Sequence, residues 1–83
     1  MPFAQDIMER ARNMMGQFVH VDPKFLVKCA VDGAAKNDRS YHAYALGILF
    51  ALKKRNADDE IQDIMGSLPD RRVRQFYQKA IAN

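Results

Sequence analysis

From residue 43 to residue 52 the chain runs through Ala43, Tyr44, Ala45, Leu46, Gly47, Ile48, Leu49, Phe50, Ala51 and Leu52, where the Tyr44 hydroxyl is the one polar side-chain group. Small residues recur at every fourth position of this run, at Ala43, Gly47 and Ala51, and Lys53, Lys54 and Arg55 end it. A helix that is apolar on all sides has to be enclosed by other elements. A small column at a spacing of four admits one neighbour at close range. The pattern therefore predicts a central helix over 41–55, wrapped by the rest of the chain.

The flanking segments also carry helical spacing. Ala4, Ile7, Met8, Ala11, Met14, Met15 and Phe18 form a single stripe over 3–18. Asp6 and Glu9 sit in the first half of that segment, where negative charge suits the helix dipole. Gly16 weakens its last turn by about 1 kcal/mol. Asp22 and Pro23 read as a helix start, with Asp22 as cap and Pro23 in the first position. The second helix is expected to run to about Lys36, with Leu26, Cys29, Ala30, Gly33 and Ala34 as a face of mostly small residues. Asn37 is its expected left-handed stop, and Ser40 the expected cap of the third helix. The short link makes the second and third helices antiparallel neighbours. The small face of the second is accordingly expected to meet the Ala43/Gly47/Ala51 column.

Asn56 ends the third helix. Asp58 is the expected cap of a fourth over 58–66, with Ile61, Ile64 and Met65 inward and Gly66 as its stop. Ser67, Leu68 and Pro69 open a fifth over 69–82, with Val73, Phe76, Tyr77, Ala80 and Ile81 inward. No strand alternation or internal repeat interrupts this reading. The expected fold is all-α, a single domain over residues 1–83, with four to five short helices around a buried central one.

Composition sets the scale. A chain of 83 residues buries roughly 60% of its unfolded surface, enough for one core and little more. The apolar run at 43–52 is half the length of a membrane span, which needs about 20 residues. Asp6, Glu9, Arg10 and Arg12 break up any signal-peptide pattern in the first twenty residues. The single cysteine, Cys29, excludes an internal disulfide and fits a reducing compartment, so the expected location is the cytoplasm.

The net charge of +3 is mild, but its distribution is informative. Lys53–Arg55 falls at a helix end and Asp58–Glu60 at a helix start, and both placements suit the dipole. Arg71, Arg72 and Arg74 fall in a first helical turn, where positive charge opposes it. Helix formation does not explain these arginines, which makes them the candidate partner-facing group.

Catalytic signals are sparse. Cys29 with His20 or His42 has the residue types of a nucleophile and base, but Cys29 lies on the small, core-facing stripe, and His42 is expected at the surface. His20 and Asp22 are two ligands only, short of a metal site. Asp58, Asp59, Glu60 and Asp63 lack the alternation and glycine of a calcium loop. The reading is of a non-enzyme without a cofactor.

Residues 58–79 resemble a helix-turn-helix unit in outline, with Glu60-Ile61-Gln62-Asp63-Ile64-Met65-Gly66 followed by Arg71-Arg72-Val73-Arg74. The turn is about one residue too long, Ser67 stands where an apolar residue is usual, and the carboxylates of the preceding helix would repel phosphates. The resemblance implies a DNA-binding alternative. The favoured expectation is a regulator or inhibitor that docks on a larger macromolecule, a protein with an acidic surface. Arg71, Arg72, Arg74, Gln75, Gln78 and Lys79 would carry the contact. A homodimer through the methionine-rich stripe (Ile7, Met8, Met14 and Met15, with Met1 nearby) is a further expectation, because methionine adapts to irregular partners.

Overall fold

The computed structural model describes residues 2–82, and Met1, expected near the stripe, lies outside them. Those residues form α1 (Pro2–Met14), one 3₁₀ turn (Met15–Phe18), α2 (Pro23–Ala34), α3 (Arg39–Lys54), α4 (Asp58–Gly66) and α5 (Arg71–Ala82). No strand occurs among them. The radius of gyration of 11.1 Å is close to the roughly 12 Å of a single packed unit of this length.

The centre of the fold is α3. Ala43, Ala45, Leu46, Gly47, Ile48, Leu49, Ala51 and Leu52 are all buried in it, and every other helix packs on it. Leu46, Ile48 and Leu49 are fully out of water. The apolar stripe of α1 closes one side. Ile7 is 2% exposed and Ala11 0%, while Met8, Met14 and Met15 are half-buried against the same core. Of the stripe expected to meet a second copy, Ile7 is thus buried in the core, while Met8, Met14 and Met15 keep part of their surface exposed.

The small column has a different neighbour from the expected one. A Cβ on Gly47 would stand 2.9 Å from Met14 Cγ and 3.1 Å from the Ala11 carbonyl oxygen, so Gly47 lets α1 and the 3₁₀ turn come close. The glycine of α2, Gly33, faces the Tyr41 backbone, Tyr44 and Ala45 instead. Helix α2 thus lies along α3 one face round from the column. Spacing defined the face correctly but not the helix that covers it.

Local capping decides the helix ends. Asp22 accepts from the Lys24 amide and Pro23 opens α2, as the sequence predicts. The cap of α3 is Asp38, which accepts from the amides of Ser40 (2.8 Å) and Tyr41 (3.3 Å), and Ser40 lies inside the helix. Asn37 does not take the left-handed conformation, and Asn56, with φ of 57°, does. The Ala57 amide then reaches back to the Leu52 carbonyl and the Asn56 amide to Lys53, closing α3. Asp58 is the first residue of α4 and not its cap; Ala57 takes that place without a side-chain bond. The carboxylates of Asp58, Asp59 and Glu60 favour that end through the dipole alone. Gly66 is the last residue of α4 and keeps an ordinary backbone.

Arg55, just past α3, donates to the carbonyls of Val21 (2.7 Å) and Phe18 (3.2 Å) and so ties the end of α3 to the turn before α2. At the opposite end Asp6 pairs with Arg39 at 2.6 Å and with Arg10 at 3.7 Å. Among the described residues no helix is long and apolar enough to cross a membrane.

Candidate functional site

The turn between α4 and α5 determines how the basic residues are presented. Leu68 is buried and pins the turn to the core. The Ser67 hydroxyl donates to the Asp63 carbonyl and closes α4. Asp70 accepts from the amides of Arg72 (2.8 Å) and Val73 (3.4 Å), so α5 starts at Arg71, two residues later than the expected 69, with Asp70 as its cap.

Below this cap, Tyr77, Ala80 and Ile81 are buried on α3 and Val73 and Phe76 are half-buried. The 3.6-residue period then turns Arg71, Gln75 and Gln78 to one exposed stripe, with Arg72 and Lys79 exposed beside it. Arg74 differs from its neighbours. It is half-buried, and its guanidinium donates to the Leu68 carbonyl at 3.1 Å, bracing the turn. Of the six residues expected at the contact, five are at the surface and Arg74 holds them in place. Among the described residues neither Arg71 nor Arg72 has an ion-pair partner.

Behind the stripe is a pair that sequence reasoning missed. His42 Nδ1 is 2.6 Å from the Tyr77 hydroxyl, with the rings edge-on. His42 is half-buried, not the surface residue expected. Burial lowers its pKa from the usual 6.5, against the opposing pull of the Asp38 and Asp70 carboxylates. Burial also raises the Tyr77 phenol above its usual 10.0. The only sequence signal for this pair was a polar residue at the start of an otherwise apolar helix.

A cleft of about 460 Å³ opens between α2 and α3, lined among others by Met14, Cys29, Gly33, Lys36, Tyr41 and Tyr44. Cys29 is half-buried at its wall rather than enclosed in the core. A hydrogen bond with Cys29, reinforced by burial, raises the Tyr44 pKa. Lys36 lies over the Tyr41 ring at 5.2 Å. His20 is exposed, and the Asp22 carboxylate is engaged in capping. Among the described residues no three His, Cys, Asp or Glu side chains gather closely enough to hold a metal ion.

Compared with known proteins, the chain matches no family model, no curated protein and no solved structure.

Proposed function

We propose that the protein is a non-catalytic binding module that regulates or inhibits a larger protein by docking the basic turn of α5 on an acidic surface. One observation carries this reading. Arg71 and Arg72 stand exposed at a helix start, where their charge opposes the dipole, and no ion pair among the described residues offsets it. The nearest carboxylate in sequence, Asp70, is engaged with backbone amides. Guanidinium groups match carboxylates two bonds at a time, and Gln75 and Gln78 continue the stripe with neutral donors and acceptors. Arg74 supports the contact from behind by holding the turn. The lone thiol of Cys29 suits a reducing compartment, and the cytoplasm is the proposed location of this work.

A DNA-binding reading is favoured by the order short helix, turn, basic helix. Against it, α4 packs on α2 and α3, α5 packs on α3, and four carboxylates stand on α4. The test is affinity capture from the native cell, with protein and nucleic acid measured separately. The Arg71→Glu/Arg72→Glu pair is compared with a Lys53→Glu/Lys54→Glu pair of equal charge change. The expected result is a protein partner held by the native chain and by the lysine pair but lost by the arginine pair. Loss by both pairs, or by neither, removes the assignment to α5. Retention on duplex DNA that falls steeply with salt would move the reading to nucleic acid.

A further inference from the structure

Helix α5 is seated on α3, and the largest side chain it buries there is Tyr77. Among the described residues the polar end of that ring has one partner, His42 Nδ1, at 2.6 Å. The buried O–H is satisfied when a neutral imidazole leaves Nδ1 bare to accept from it; with Nδ1–H donating to the phenol oxygen instead, that O–H would face no acceptor. A protonated ring carries hydrogen on both nitrogens. Nδ1 then only donates, and the Tyr77 O–H loses the acceptor it faces.

The surroundings add to this. His42 is the fourth residue of α3, near the positive end of its dipole. The charged groups facing it come from each neighbouring element. Asp38 precedes α3 and Asp70 precedes α5. Lys36, just after α2, lines a recess of about 240 Å³ together with His42 and Asp70. Both carboxylates are already the caps of their helices. An imidazolium would draw on the same two groups that hold the first turns of α3 and α5.

We propose that His42 and Tyr77 form an acid-sensitive latch: the neutral ring holds α5 on α3, and protonation releases it and with it the ordered display of Arg71 and Arg72. The effect on partner binding rests on the function proposed above, whereas the latch itself belongs to the fold. The direction follows from linkage. Burial disfavours the proton on the seated ring, so the released state takes up more protons below the ordinary histidine value. The seat is complete above about pH 6.5 and weakens as pH falls through the lower, seated value, then levels off.

Amide hydrogen exchange of α5 and α1, compared at about pH 7 and about pH 5, reads the latch without any partner. The expected result is a loss of α5 protection beyond that of α1, and no such excess in His42→Gln or Tyr77→Phe. Equal losses in both helices, or the same excess in both variants, would overturn the latch. Should either variant fail to fold, the ring titrations of the native chain still decide. The His42 midpoint must lie below the ordinary histidine value of about 6.5, and a midpoint at or above it overturns the proposal. Because no partner is used, failure here leaves the docking assignment standing, and failure of docking leaves the latch standing.

Discussion

The side chain that Gly47 lacks would stand 3.1 Å from the carbonyl oxygen of Ala11. That oxygen belongs to a helix and cannot move alone, while Met14, at 2.9 Å, can swing aside. Gly47→Ala gains about 1 kcal/mol of helix propensity but meets an overpacking penalty of about 1–3 kcal/mol. The expected outcome is a net loss, seen as a fall in Tm. Gly47→Leu should prevent cooperative unfolding altogether. Gly66→Ala is the opposite case, with ordinary backbone and open space around it, and should raise Tm by a few degrees.

Arg55 joins two parts of the chain with one guanidinium nitrogen shared between the carbonyls of Phe18 and Val21. Charged hydrogen bonds of this kind contribute about 1.5–3 kcal/mol each. Arg55→Met keeps most of the stem and removes the bonds, and urea unfolding should show a loss of about 2 kcal/mol or more. Arg55→Lys should recover only part, because the ammonium is a strongly hydrated charge on a flexible stem and is not held in place by a planar group.

The capping geometry separates two neighbouring residues. Asp38→Ala removes the acceptor of two amides at the start of α3 and should cost about 1 kcal/mol. Ser40→Ala, in the first turn, should change little, since its hydroxyl meets only the exposed Arg10. Equal losses for the two in thermal unfolding would contradict the cap seen here.

Alkaline pH tests the Tyr77 seat from the other side. Burial raises the folded phenol above 10.0, so above the unfolded value the native state holds a proton that the unfolded state has given up. Stability should then fall as pH rises past about 10. Urea titrations at increasing pH should show this slope, reduced in Tyr77→Phe. Some slope should remain, since the Tyr44 phenol is also raised by Cys29 and burial.

Much of this fold was legible in the residues because helical period and burial report on each other. The enclosed α3 and the inward set of α5 follow from spacing, and the Asp22–Pro23 start follows from the capping and first-turn preferences of its two residues. The pairing of helices did not. Ala43, Gly47 and Ala51 mark a face, but whether α1 or α2 fills it depends on the path of the 18–22 turn, which Arg55 fixes from 34 and 37 residues away. Caps were ambiguous for a related reason: Asp38 and Ser40 are both competent, and the backbone direction two residues earlier chooses between them. In the candidate site, exposure of Arg71 and Arg72 could be read from the period. The bracing of Arg74 against Leu68 and the union of His42 with Tyr77 are tertiary and leave no local pattern.

Since α1 and α2 both take their seats on a helix that follows them in the chain, order of synthesis matters. A nascent polypeptide would expose the Met8–Met15 side of its first helix to the cell until the ribosome has delivered α3 as far as Lys54. Only then does the amino-terminal half have a surface to settle on, so the molecule acquires its structure late and nearly all at once.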